Sequence, residues 1–118
     1  MDRDGAAEII EYDDFARVDM RAGTIVEVQE FPRARVPSYK VRVDFGDELG
    51  NRWSSMQAAK DYQPDDLMGR TVVAVVNMPP RNIAGFQSEV LVLGVSAEDG
   101  GLSLLHPGRG ARVGSRVY

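Results

Sequence analysis

Val72-Val-Ala-Val-Val-Asn-Met-Pro-Pro-Arg-Asn-Ile-Ala-Gly-Phe-Gln-Ser-Glu-Val-Leu-Val-Leu-Gly94 is the stretch from which the fold can be read. Two apolar, β-branched runs flank a polar segment, and such runs favour the pleated, half-buried surface of a sheet. Thr71–Asn77 and Glu89–Val95 are therefore predicted to be two buried strands. The segment between them carries Asn77, Pro79, Pro80, Arg81, Gly85, Phe86 and Ser88. It reads as a loop, rigid at its start and tipped with an arginine and an aromatic. A rigid scaffold that presents such a loop is a common architecture for a binding site.

Working outward towards the N-terminus, Gln63–Gly69 reads as a short helix with proline and acids in its first turn and glycine at its end. Before it, Tyr39–Phe45 alternates Tyr39, Val41, Val43 and Phe45 with Lys40, Arg42 and Asp44, the period-two signature of a strand. Gly46–Asn51 is a hairpin turn, and Arg52–Gln57 returns as a third strand. Met20–Phe31 also alternates: Ala22, Thr24, Val26 and Val28 on one side, Gly23, Ile25, Glu27 and Gln29 on the other. Gly23 marks a bulge or a close backbone approach. Tyr12–Val18 reads as a short helix with Asp13 or Asp14 as its cap, and residues 1–11 as a flexible acidic arm ahead of a domain spanning 12–118. On the C-terminal side, Leu102–Leu105 is a short strand and Gly108–Gly114 a loop. Five or six short strands with a helix after the third predict a mainly β, five-stranded barrel of the oligonucleotide/oligosaccharide-binding (OB) type.

Composition narrows the chemistry. A chain of 118 residues is one domain, and the absence of cysteine excludes a disulfide framework, a thiolate zinc site and a cysteine nucleophile. No apolar run approaches a membrane span, and no signal-peptide core follows the polar start, so a cytoplasmic protein without a membrane partner is expected. The net charge of −4 is unevenly spread: residues 1–19 carry −5, leaving +1 on the remainder. Arg33, Arg35, Lys40 and Arg42 form an acid-free group, and Arg109, Arg112 and Arg116 another. Local fields of this kind, rather than the total charge, steer polyanions.

Catalysis finds little support. The single histidine, His106, lies beside a turn at Pro107, and Ser54-Ser55 lacks a nucleophile-elbow context. Asp13-Asp14 and Asp65-Asp66 stand at helix starts, where capping accounts for them. No catalytic residue, metal site or cofactor is expected. Binding is better served. Phe31, Arg33, Arg35, Tyr39, Trp53, Arg81 and Phe86 lie in or beside loops, and arginine with aromatics suits looped or single-stranded RNA. Tyr39 and Phe45 read as barrel core, and Trp53 is open to either role. Phe86, with Met78 and Ile83, would make an apolar patch fit for a peptide.

Phe15-x-x-Val18-Asp19-Met20-Arg21-x-Gly23-x-Ile25-Val26 resembles the opening of the tRNA-binding domain family. Arg35-x-Pro37-x-Tyr39-Lys40-x-x-Val43-Asp44-Phe45-Gly46, Ser54-Ser55-x-Gln57, Val75–Gly94 and Gly114-x-Arg116-Val117-Tyr118 resemble its small stand-alone branch, typified by the chaperone CsaA. The resemblance spans residues 12–118. It implies an OB barrel, a homodimer built on the N- and C-terminal extensions, and no cofactor. It implies tRNA or structured RNA as partner, and alternatively an unfolded polypeptide or preprotein bound in an ATP-independent, export-related role. Ser55, Gln57, Asn77, Arg81 and Ser88 are the implied RNA-facing residues, and Met78, Ile83 and Phe86 the implied peptide-facing ones. The chain departs from the tRNA binders at Ile83-Ala84-Gly85, where a further basic residue is usual, and at Glu89-Val90, which places an acid near the implied groove.

Overall fold

The computed structural model describes residues 5–118. Helix α1 (Tyr12–Ala16) leads into β1 (Met20–Glu30), β2 (Tyr39–Asp44) and β3 (Asn51–Met56); α2 (Pro64–Leu67) follows, and then β4 (Thr71–Val75). Short strands complete the chain: β5 (Arg81–Ile83), β6 (Phe86–Ser88), β7 (Leu91–Val92), β8 (Gly94–Ser96) and β9 (Leu102–Leu104). The main sheet has the antiparallel order β3-β2-β1-β4-β7. Its edges meet where the Glu89 N–H donates to the Trp53 carbonyl at 2.8 Å and the Ser55 N–H donates to the Ser88 hydroxyl at 3.0 Å. The result is the nearly closed five-stranded OB barrel, with α2 after the third strand.

The alternation of β2 sets the barrel's inside. Tyr39, Val41, Val43 and Phe45 are buried, and Lys40, Arg42 and Asp44 stand on the outer face. They share the core with Ile25, Met56, Leu67, Val72, Ala74 and Val90. Full burial of an aliphatic side chain such as Ile25 contributes roughly 1.5–3 kcal/mol before entropy is charged against it. Leu67 reaches that core because α2 is fastened at both ends: Asp66 accepts the Gln63 N–H at 2.8 Å, and the Gly69 N–H donates to the Ile25 carbonyl at 2.9 Å.

Three expectations need correction, and the two alternatives offered for Gly23 narrow to one. The alternation in β1 does not run through, because a register shift between Ile25 and Glu27 turns Ile25 and Val28 to the same, inner side. Gly23 is the close approach and not the bulge: a Cβ there would lie 2.6 Å from Val43 Cγ1 and 2.8 Å from the Phe45 ring. Glu89–Val95 is not one buried strand. It breaks at Leu93, whose N–H still donates to Val73, and Leu91 and Val95 are exposed. The polar segment is not a loop but a hairpin, β5 against β6, turning through Ala84 and Gly85 with φ of 50° and 86°. Two positive φ values are the type I′ geometry that matches strand twist.

The ends of the domain are also more ordered than read. Glu11, not Asp13 or Asp14, is the N-cap of α1, and Asp14 accepts its N–H at 3.0 Å. Residues 114–117 lie along the start of β1, through Gly114 N–H to Ala22, Ala22 N–H to Ser115 and Val117 N–H to Met20. Residues 1–4 of the predicted arm fall outside the described residues, and residues 5–10 are exposed.

Candidate nucleic-acid interface

The outer face of β2 and β3 and the β5–β6 hairpin form one surface. Register places Lys40 beside Ser55 and Arg42 beside Trp53. The hairpin pairs Ile83 with Phe86 and Arg81 with Ser88. The bonds from Ser55 and Glu89 that close the barrel bring the hairpin against β3, so Phe86 meets Trp53 edge-to-face at 6.1 Å between centroids. Phe31, at the end of β1, meets the same Phe86 ring at 5.5 Å. The Lys40 ammonium sits 4.8 Å from the Phe31 centroid and 5.0 Å from that of Phe86. A cation over two ring faces is attracted by both ring quadrupoles. Trp53 thus stands on the outer face, half-buried, rather than in the core.

The charges on this surface divide into two sets. Arg42 pairs with Glu27 at 3.0 Å, and Gln29 donates to the same carboxylate at 2.5 Å. The Gln29 bond first, and then the Arg42 bond, lower the Glu27 pKa. Among the described residues Arg33, Arg35, Lys40 and Arg81 have no ion-pair partner. Phe31, Pro32, Arg33, Lys40, Ala84, Gly85 and Phe86 line an open cleft of about 330 Å³.

The eight residues singled out from sequence are distributed unequally over this surface. Ser55, Arg81, Ile83, Phe86 and Ser88 are brought together by the β3–hairpin contact. Gln57 is exposed just beyond β3, and Met78 is exposed at the base of the hairpin, the opposite end from Phe86. Asn77 and Ser88 have their polar groups engaged within the protein. Asn77 accepts the Asp19 N–H at 2.9 Å and donates to the Arg17 carbonyl at 2.7 Å. Ser88 is buried, accepts from Ser55 and lies 3.5 Å from the Val90 carbonyl. The Glu89 carboxylate accepts the Trp53 N–H at 3.1 Å. Phe31, Arg33 and Trp53, named from sequence as RNA-suited but not counted among the eight, join them here, and Lys40 is the member that the sequence reading took only as a charge. Lys40 was hidden by its place in an alternating strand, where an outward lysine is ordinary.

A second surface lies away from the hairpin tip. Tyr12, Phe15, Ala16, Val18, Arg116, Val117 and Tyr118 line a groove of about 260 Å³ between α1 and the C-terminal segment. Arg21 holds Asp19 through two bonds, of 2.6 and 3.2 Å, and donates to the Gly114 carbonyl at 3.1 Å. Arg116 donates to the Ala16 carbonyl at 2.7 Å and lies 3.6 Å from Asp19. The Arg21 hydrogen bond is the main reason that the Asp19 pKa is lowered. Among the described residues no group of three potential metal ligands occurs, and no helix is long and apolar enough to cross a membrane. His106 is exposed, with Nδ1 2.9 Å from the Pro107 carbonyl.

The family model described as "Putative tRNA binding domain" matches residues 20–116, the barrel and its C-terminal seal. The chain belongs to that family. Its structure superposes on the CsaA chaperone protein of Picrophilus torridus with a TM-score of 0.88 and 44% identity, over 93% of this chain and all of that one. For chaperone CsaA of Bacillus anthracis the TM-score is 0.86 and the identity 45%, over 94% of this chain and all of that one. Methionine–tRNA ligase of Bacteroides fragilis is 36% identical over 109 residues, which are 92% of this chain and 16% of the ligase. The chain therefore spans about one sixth of that curated relative, and the likeness to ligases is confined to this domain.

Proposed function

We propose that the protein binds tRNA or another structured RNA as a homodimer, without catalysing a reaction, through the surface formed by β2, β3 and the β5–β6 hairpin. The observation that carries this reading is the set of uncompensated cations, Arg33, Lys40 and Arg81, around the aromatic group Phe31, Trp53 and Phe86. Guanidinium and ammonium groups meet phosphates, and ring faces receive unstacked bases. Arg81, Ser55 and Gln57 are the contact residues. Asn77 and Ser88 act from behind them, by holding the hairpin in place. A cytoplasmic site of action is part of this proposal and follows from RNA as the proposed ligand.

The homodimer is proposed on the groove between α1 and the C-terminal segment. Tyr12 and Tyr118 of its lining are strongly exposed, as are Ile9 and Ile10 just ahead of α1 in the chain, and exposed apolar residues of this kind mark interaction surfaces. Two solved CsaA chaperones of similar fold favour a second reading, in which the half-buried Phe86 and Ile83 at the hairpin tip, with the exposed Met78 at its base, hold unfolded polypeptide along the same surface without ATP.

A side-by-side titration with tRNA and with an unfolded polypeptide, each at two salt concentrations, separates the readings. RNA binding should weaken with salt at a log–log slope of about −0.7 to −0.9 per neutralised phosphate. Arg81→Ala should weaken tRNA binding and lower that slope. A flat salt response, or binding of polypeptide alone, would favour the chaperone reading instead.

A further inference from the structure

The cleft beside the Phe31–Phe86 pair has features that a general RNA-binding face does not require. Its volume of about 330 Å³ lies at the lower end of the roughly 300–1,000 Å³ typical of small-ligand sites, which suits one nucleotide and not a duplex. Its lining holds two cations, Arg33 and Lys40, and no acid. Its floor is aromatic, and the Lys40 ammonium covers both rings at 4.8 and 5.0 Å. Its rim is Ala84, whose φ of 50° is the only positive value of a non-glycine among the described residues. The type I′ turn of the hairpin sets this backbone, so the rim is fixed in place before a ligand arrives.

We propose that this cleft is a single-nucleotide subsite of the RNA surface: an unstacked base lies on the half-buried Phe86 ring, which the buried Phe31 backs edge-to-face, and its phosphate is held by Lys40 and Arg33. The proposal rests on the RNA reading above. Without ligand, the ammonium of Lys40 shields the rings from water. An arriving base replaces it on the Phe86 face, and the displaced ammonium turns to the phosphate that the base brings with it. Charge complementarity selects the occupant. An uncharged apolar side chain would displace the lysine and leave two cations without a counter-ion, whereas a nucleotide supplies both the flat face and the anion. The site therefore favours single-stranded or looped positions in the RNA, where a base is free to leave its stack.

Trp53 is the only tryptophan of the chain and touches Phe86, so its fluorescence reports what happens in the cleft. The test titrates wild type, Lys40→Gln and Arg33→Gln with adenosine, with adenosine 5′-monophosphate, with the uncharged N-acetylphenylalaninamide and with tRNA. Both side chains reach solvent, so neither substitution should disturb the fold, and circular dichroism checks this. The monophosphate should quench Trp53 more strongly than adenosine does. Each substitution should weaken monophosphate binding by about tenfold, the cost of one lost bond to a charged group. Lys40→Gln should leave adenosine binding unchanged or tighter, a sign that a merely structural lysine would not produce. Both variants should weaken tRNA binding and flatten its salt slope by about 0.7. If wild type binds tRNA and both variants bind it equally well, the subsite is wrong and the RNA reading stands. If N-acetylphenylalaninamide quenches Trp53 and the monophosphate does not, the cleft is a polypeptide site. If wild type fails to bind tRNA at low salt, the RNA reading falls and the subsite falls with it.

Discussion

Asn77 is exposed, yet its amide holds two backbone groups 58 and 60 residues away in sequence: it accepts from Asp19 and donates to Arg17. It stands at the foot of the hairpin, so it ties the hairpin's base to the end of α1. Asn77→Ala should lower stability by about 1 kcal/mol, read as a shift of the urea midpoint with unchanged slope. Ala84 presents the opposite case. A Cβ in the left-handed region costs about 1–2 kcal/mol, and a type I′ turn prefers glycine or asparagine there. Ala84→Gly should return part of that cost after the added backbone entropy, so Tm should rise by a few degrees, roughly 2–4 °C. Gly23 admits no such exchange. Its Cβ would meet Val43 and Phe45, both buried, so Gly23→Ala should destabilise by about 1–3 kcal/mol. Retention of wild-type Tm in Gly23→Ala would show that the strands there can separate freely.

At the scale of elements, the barrel closes through side chains as well as backbone. The hydroxyl of Ser88 stands in for a missing ladder partner of Ser55, and the Glu89 carboxylate does the same for Trp53. Ser88→Ala should leave the Ser55 N–H without its acceptor and cost about 1–3 kcal/mol in chemical denaturation, with the loss in the contact between β3 and the hairpin. The second device is the latch of Asp19, Arg21 and Arg116, which fastens α1 and the C-terminal segment to the barrel. Arg21 lowers the pKa of Asp19, so the native state binds the proton less readily than the unfolded chain does. Its stabilising contribution is complete above the ordinary carboxylate range near pH 4, and is lost as the pH falls through the lowered native value. Asp19→Asn should therefore be less stable than wild type at pH 7, with the difference shrinking below about pH 4. A difference that persists unchanged at pH 2 would mean that the carboxylate charge is not what matters.

At the scale of the whole molecule, the two surfaces share no lining residue, and Asn77 links the foot of the hairpin to the end of α1. The proposed dimer groove carries Tyr12, Val117 and Tyr118, and the proposed RNA surface carries Arg81 and Phe86. Light scattering should give twice the chain mass of 13.0 kDa for wild type. Tyr118→Asp combined with Ile10→Asp should reduce this to a single chain while the barrel stays folded. A dimer that survives both changes would place the interface elsewhere.

Much of this was legible in the residues. Alternation is a property of neighbouring side chains, so Tyr39, Val41, Val43 and Phe45 announced the barrel's interior without any knowledge of their partners. The helix after the third strand and the family motif were equally local. Other features were not. The bulge after Ile25 depends on how β1 divides its length between β2 and β4. The exposure of Leu91 and Val95 depends on the sheet ending at β7, and composition carries no record of that. The Val72–Gly94 stretch by itself determined a sheet, a turn and a family. Only the closed tertiary structure decided that Phe86 would meet Phe31, Lys40 and Trp53. Those residues come from four separate segments, and they become neighbours when the sheet curls and its edges bond.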